Sequence, residues 1–140
     1  MAEATPPPVE ARQPADIRRW LPWAGILVAL WATLPQYSGP TLMTEPEKEV
    51  VDHIIPGALV VIASFVVLAR RGQAGGPSMV PFVAGLVVLL AGFWMVATHV
   101  PLVAQALRGD APWPATLYHS SPAFAVFGLG LLWSVAHWSD

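Results

Sequence analysis

Residues 79–100 read MVPFVAGLVVLLAGFWMVATHV, twenty-two residues without a single Asp, Glu, Lys or Arg. A helix of about 20 apolar residues matches the roughly 30 Å of hydrocarbon in a bilayer. A run of this length and composition therefore predicts a helix that crosses a membrane.

Three further apolar segments accompany this stretch, at residues 20–37, 50–69 and 117–138. All of them are continuously apolar, whereas the strands of a membrane barrel alternate between apolar and polar residues. Lipid admits only helices and closed barrels, because every backbone polar group must be satisfied internally. The sequence thus predicts an all-α integral membrane protein, a bundle of four helices.

The overall composition agrees with a membrane location and excludes several function classes. Hydrophobic residues make up 55% of the chain and charged residues 11%, with a formal net charge of −2. So few clustered charges cannot form a nucleic-acid-binding face. The absence of Cys removes disulfides, thiolate metal sites, iron–sulfur clusters and Cys nucleophiles.

Residues 1–19 form a Pro-rich arm with too little apolar surface to fold by itself. We expect this arm to contact a partner protein. The candidate partner-binding residues are Pro6, Pro7, Pro8, Arg18, Arg19 and Trp20.

The distribution of Lys and Arg predicts the orientation in the membrane. Five Arg residues lie before the first apolar segment or between the second and third, at positions 12, 18, 19, 70 and 71, whereas the other side carries Lys48 and Arg108. Because cytoplasmic loops carry the excess of positive charge, both termini are expected in the cytoplasm, in a multi-pass protein of the cell (inner) membrane.

A constant offset of 66 residues aligns several uncommon residues without a gap, which indicates an internal repeat. The aligned pairs are Pro35 with Pro101, Pro46 with Pro112, His53 with His119, Pro56 with Pro122 and Val60 with Val126. Two tandem hairpins follow, at residues 20–71 and 72–140.

The same alignment predicts where the second helix of each hairpin begins and bends. We expect these helices to begin near Glu45, with Thr44 as the N-cap, and between Ala111 and Pro114. Pro56 and Pro122 each remove one backbone hydrogen bond, so a matched pair of kinks is expected.

The chain resembles the SPW-repeat family of small prokaryotic membrane proteins. The first hairpin carries the resemblance at residues 20–25 (WLPWAG), 31–35 (WATLP) and 52–57 (DHIIPG), and the second at residues 85–94, Pro101 and 119–122 (HSSP). The Ser-Pro-Trp tripeptide itself is absent, and only Pro35 and Pro101 occupy its place. The resemblance implies the fold and the membrane location, and no catalytic residues.

Three imidazoles, those of His53, His99 and His119, are predicted at one level near the outer boundary of the membrane. Ionisable groups at membrane depth are costly and often functional, so they are candidate cofactor ligands. His53 and His119 could hold a haem or a bacteriochlorophyll, and all three could bind zinc or copper. The alternative is that the rings are solvated at the headgroups or bonded to carbonyls that the prolines free. A neutral imidazole is expected for His53 unless Glu49, one turn before it, pairs with it.

Other polar groups give weaker indications of chemistry. The acidic residues Glu45, Glu47, Glu49 and Asp52 could collect cations, but no charged residue lies in the middle of a predicted helix to form a relay. A hydrolase built from Ser120, Ser121 or Ser134 is disfavoured, because no nucleophile elbow is present and adjacent helical residues point apart. The Trp, Tyr and Phe residues are expected mainly at the membrane interfaces.

The function that these patterns favour is a non-catalytic accessory subunit of a larger integral membrane complex, of a photosynthetic or respiratory kind by analogy alone. A His-ligated pigment, haem or metal protein is the alternative, and a small transporter is a further one. Lipid is an expected partner and nucleic acid is not.

Overall fold

The structure is a computed structural model that describes residues 17–33, 46–71 and 78–138. All of its regular elements are helical, and no strand occurs in these three ranges. In chain order they are a 3-10 turn at Ile17–Arg19, α1 at Leu21–Thr33, α2 at Pro46–Glu49, a π-helical turn at Val50–Ile54, α3 at Ile55–Arg70, α4 at Val80–Leu107 and α5 at Trp113–Ala136.

Three helical runs are long and apolar enough to cross a membrane: Glu47–Arg70, Val80–Leu107 and Trp113–Ala136. The first of them contains the end of α2, the π-helical turn and α3, which continue without a break. The apolar helix α1 has 13 residues, fewer than a full span needs. The remainder of the predicted first span, residues 34–37, lies outside the described residues.

Each long helix contacts two others along its length. α1 packs against α3 and α5, and α4 packs against α3 and α5, with the most extensive contact between α4 and α5. Each of the three long helical runs is antiparallel to the one before it in the chain. The start of α2, the end of α4 and the start of α5 therefore lie at the same end of the structure, which we call the Glu49 end. The opposite end, where α3 ends and α4 begins, is the Arg71 end.

Glycines allow α4 and α5 to approach backbone to backbone. A Cβ atom on Gly92 would lie 2.3 Å from the backbone nitrogen of Phe127, and one on Gly130 would lie 2.4 Å from Cα of Leu89. In lipid, such close packing replaces the hydrophobic effect as the main source of helix association.

Large apolar side chains cover the outside of the helices, while small ones fill the inside. Leu27, Leu90 and Phe93 are at least 60% exposed, whereas Ala32, Val88 and Ala123 are fully buried. A surface of this kind suits lipid tails and would be an aggregation hazard in water. The described helices therefore have the outer surface of a membrane-embedded protein.

The C-terminal end of α4 lies beyond the end that the sequence predicted. The prediction ended this helix at Val100, but it continues through Pro101 to Leu107. The missing N–H of Pro101 leaves one carbonyl of the preceding turn unbonded, and the rest of the ladder is unaffected. Helix α4 ends at Leu107. Gly109 follows with φ +83°, and the next residue, Asp110, donates its N–H to the Gln105 carbonyl at 2.9 Å.

The second helix of each predicted hairpin begins close to the expected position, but the two differ at their prolines. α5 begins at Trp113, inside the predicted interval. Pro56 follows the π-helical turn, in which the N–H of Ile55 donates to the Val50 carbonyl, whereas the helix around Pro122 is a regular α-helix. The prolines therefore do not give matching local structures. The predicted N-cap, Thr44, and the predicted start at Glu45 lie outside the described residues.

The Arg71 end holds the last residues of the predicted arm. The guanidinium of Arg71 donates to the carbonyls of Arg18 and Arg19, and the Arg19 guanidinium lies 5.5 Å from the centre of the Trp20 ring. These predicted partner-binding residues thus contact the chain itself. The predicted partner-binding residues Pro6, Pro7 and Pro8 lie outside the described residues.

Candidate metal site

Three helical elements bring His53, His99 and His119 together at the Glu49 end. His53 lies on the π-helical turn, His99 on α4 and His119 on α5. The centres of the three imidazole rings are 4.8 to 4.9 Å apart in every pair. One ring nitrogen from each residue lies within 4.8 Å of the others. We call these residues the His triad.

The His triad is buried between the helices. His53 is 1% exposed, His99 2% and His119 9%. The sequence left open that these rings are solvated at the headgroup level, and their burial does not agree with that alternative. Polar rings that are removed from both water and lipid need partners among themselves or a bound ion.

The hydrogen bonds of His99 fix its tautomer. Its Nδ1 lies 2.6 Å from the carbonyl oxygen of Met95 one turn earlier, and a carbonyl can only accept, so Nδ1 carries the proton. The Nε2 atom of His99 is then the lone-pair nitrogen. It lies 3.1 Å from Nε2 of His53, which donates to it in the absence of an ion. The hydrogen bond to the Met95 carbonyl thus orients the His99 ring so that the lone pair of its Nε2 atom faces His53. Outer-sphere partners of metal ligands orient their ligands in the same way.

Three further buried polar atoms, one in the triad itself and two on α5, lack a hydrogen bond. Within the described ranges, Nδ1 of His53 and the hydroxyl oxygens of Thr116 and Ser120 are buried and have no hydrogen-bond partner. Both hydroxyls belong to α5: Thr116 lies about one turn before His119, and Ser120 directly follows it. Such atoms are uncommon in folded proteins and indicate where water or an ion completes the structure.

A cavity of about 290 Å³ opens beside the His triad. Besides the three rings, its lining includes Lys48, Glu49, Asp52, Thr98, Pro101, Leu102 and Gln105. The Oε2 atom of Glu49 lies 3.8 Å from Nε2 of His53. The triad therefore has one polar, carboxylate-bearing side, which faces the Glu49 end.

The geometry suits an ion better than a macrocycle. His53 contacts both of the other rings edge to face, which leaves no slot between them for a haem or a bacteriochlorophyll. Zinc binds imidazole nitrogen at about 2.0–2.1 Å, so two ligands of a tetrahedral ion lie roughly 3.4 Å apart. The two Nε2 atoms of His53 and His99, 3.1 Å apart, are close to this value, and the longest separation, up to 4.8 Å, would shorten when an ion binds.

Two of the three serines that were considered as nucleophiles, Ser121 and Ser134, donate to carbonyls of their own helix. Ser134 donates to the Gly130 carbonyl at 2.8 Å, and Nδ1 of His137 donates to the Trp133 carbonyl at 3.1 Å. Ser121 donates to the Tyr118 carbonyl at 3.3 Å. Each of these side chains donates to a backbone carbonyl three or four residues earlier in the chain. These hydrogen bonds do not form a serine–histidine pair.

Comparison with known proteins found no similarity: no family model matches the chain, and no curated protein or solved structure matches it either. The resemblance to the SPW-repeat family accordingly stays a prediction from the sequence. The geometry of the His triad is therefore the observation that points to a function.

Proposed function

We propose that this protein is a helical membrane protein that binds one transition-metal ion through His53, His99 and His119. The observation that carries the proposal is the convergence of three buried imidazoles, from three separate helical elements, onto one point. Imidazole is a ligand of Zn²⁺, Cu²⁺, Ni²⁺ and Fe²⁺, and three imidazoles with an open position form a known type of zinc site.

The energetic cost of the His triad supports a functional origin. A buried polar ring without a full set of hydrogen bonds destabilises a fold, and an apolar side chain of similar size would pack at least as well. Three such rings at one point in an otherwise apolar set of helices are costly as structure alone. A bound ion converts that cost into stabilisation, because it satisfies all three lone pairs at once.

Zinc is expected to bind to the purified protein in detergent with a stoichiometry of one and to raise its melting temperature. At a free concentration 100 times the Kd, binding to the folded state alone adds about 2.7 kcal/mol to the free energy of unfolding. Calorimetric titration and thermal unfolding followed by circular dichroism measure the two effects. Chelation with EDTA should return the melting temperature to its starting value, and a chain with no saturable zinc uptake would refute the proposal.

We further propose that the chain is a bundle of two repeated hairpins, as the 66-residue offset predicts. The pattern of burial supports this architecture, because positions 66 residues apart are buried together in both helices of each hairpin. The buried pairs are Pro22 with Val88, Gly25 with Ala91, Ala29 with Met95, His53 with His119, Pro56 with Pro122, Gly57 with Ala123, Val60 with Val126, Ser64 with Gly130 and Val67 with Trp133.

This architecture predicts which residues share one side of the membrane. The chain has no Cys, so single cysteines give an unambiguous label. We expect Glu47→Cys and Asp110→Cys to react with a membrane-impermeant maleimide from the same compartment, and Met79→Cys from the opposite one. Labelling of intact cells and of inverted vesicles measures the sidedness. Reaction of positions 47 and 110 from opposite compartments would exclude the arrangement.

The assignment to a larger membrane complex, photosynthetic or respiratory, remains a prediction from composition. None of the contacts among the described residues favours it over metal binding. The cytoplasmic location of both termini and the inner-membrane location are predictions of the same kind, and the cysteine labels test the first of them.

A further inference from the structure

We infer that Glu49 supplies the fourth ligand, so that the site takes a divalent ion of borderline softness, such as Zn²⁺, Co²⁺ or Cu²⁺, in an N3O donor set. This inference rests on the proposed metal site and names its coordination. The observation behind it is the position of the Glu49 carboxylate, whose Oε2 atom lies 3.8 Å from Nε2 of His53 on the cavity side of the triad.

The burial of Glu49 makes this carboxylate suited to a cation. Its side chain is only 16% exposed, although it lies at the end of the helices, one turn before His53. A carboxylate that has lost most of its water is stabilised by a nearby positive charge. An ion held by the triad would place that charge within a small side-chain adjustment of Oε2.

The charge balance of the cavity favours a carboxylate ligand for a divalent ion. Neutral imidazoles contribute no charge, so an ion bound by the triad alone would leave two uncompensated positive charges in a region of low dielectric constant. Glu49 as a ligand compensates one of these charges. Asp52 and Lys48 line the same cavity with opposite charges that offset each other, so one net positive charge remains.

The donor types narrow the choice of metal further. The chain contains no Cys, and the side chains that line the cavity include no thioether. Monovalent copper prefers sulfur ligands, whereas imidazole combined with carboxylate suits Zn²⁺, Co²⁺ and Cu²⁺. The lining therefore favours the divalent ions over Cu⁺.

Infrared difference spectroscopy of the full chain in detergent tests this inference. The spectrum of the Zn²⁺-loaded protein minus the metal-free protein should contain carboxylate stretching bands that shift on coordination. Glu49→Gln should remove these bands and weaken Zn²⁺ binding by about 10- to 100-fold. Glu47→Gln is the matched control, because Glu47 is exposed two residues earlier, and it should leave the bands and the Kd unchanged.

A spectrum of Co²⁺-loaded protein provides a second readout that does not depend on affinity. Loss of the carboxylate ligand in Glu49→Gln should change the position and intensity of the visible d–d bands, while Asp52→Asn should keep the wild-type spectrum. Two results would overturn the role of Glu49: zinc binding to the wild type without carboxylate bands in the difference spectrum, or a Glu49→Gln variant that keeps both the Kd and the cobalt spectrum of the wild type. Either result would leave the His triad as the metal site. If the wild type takes up neither ion, both proposals fail.

Discussion

Replacement of His99 with alanine is expected to lower the affinity for Zn²⁺ by at least about 100-fold. His99 is the ligand whose tautomer is fixed, by the bond of Nδ1 to the Met95 carbonyl. Its Nε2 lone pair is therefore available without rearrangement, and outer-sphere partners of this kind alone are worth 10- to 100-fold in affinity. Competition with a chromophoric chelator measures the Kd.

The other two members of the triad should behave in the same way. His53→Ala and His119→Ala each remove one of three nitrogen ligands, so each is expected to lose most of the zinc affinity. His137→Ala is the control, because His137 is also buried but lies at the Arg71 end, with its Nδ1 bonded to the Trp133 carbonyl. Equal zinc affinity in the three triad variants and in His137→Ala would show that the ion binds elsewhere.

The largest loss of stability is expected from small substitutions between α4 and α5. Alanine at Gly92 would place its Cβ 2.3 Å from the backbone of Phe127, and alanine at Gly130 would place its Cβ 2.4 Å from the backbone of Leu89. Backbone atoms cannot rotate away, so the two helices must separate. We expect Gly92→Ala and Gly130→Ala each to lower the free energy of unfolding by about 1–3 kcal/mol or more. Unfolding in mixed detergent micelles measures this change.

Gly128 provides a matched control on the same helix. A Cβ at Gly128 meets no atom within 4 Å, so Gly128→Ala is expected to leave stability unchanged or to raise it by roughly 0.5–1 kcal/mol through helix propensity. Because α4 and α5 carry His99 and His119, Gly92→Ala should also weaken zinc binding. If Gly92→Ala and Gly130→Ala were as stable as Gly128→Ala, the close packing of α4 against α5 would be incorrect.

The sequence predicted the helical nature of the protein and most of the helix positions. The reason is that lipid demands long apolar runs, and residues 79–100 and 117–138 meet this demand directly. The end of α4 was wrong by about two turns, because the apolar segment was taken to end at Val100. The helix continues through Pro101, because a proline removes a single backbone hydrogen bond.

The members of the metal site were also predictable, but their arrangement was not. His53, His99 and His119 were placed at one level by counting residues from the helix ends, and the structure brings them into contact. Sequence could not distinguish rings that face lipid headgroups from rings that face one another, because that depends on the rotation of each helix. The role of the Met95 carbonyl was missed because a backbone oxygen leaves no signal in the sequence. The spacing of four residues left a pairing of Glu49 with His53 open, and the structure places the two side chains 3.8 Å apart.

The π-helical turn was not predicted. Pro56 gave a signal for a bend, and its counterpart Pro122 gave the same signal, yet only the segment before Pro56 adopts π-helical bonding. The choice depends on how the surrounding helices pack against each segment. The π-helical turn carries His53 and directly follows Glu49, and such turns are frequent at functional sites.

X-ray absorption spectroscopy of the zinc-loaded protein tests the central claim most directly. The fine structure counts the imidazole ligands, because the outer atoms of each ring scatter in a characteristic way. We predict three imidazoles, with all zinc ligands at about 2.0–2.1 Å. A zinc ion surrounded by oxygen atoms with one imidazole or none would contradict the claim that the His triad is a metal site.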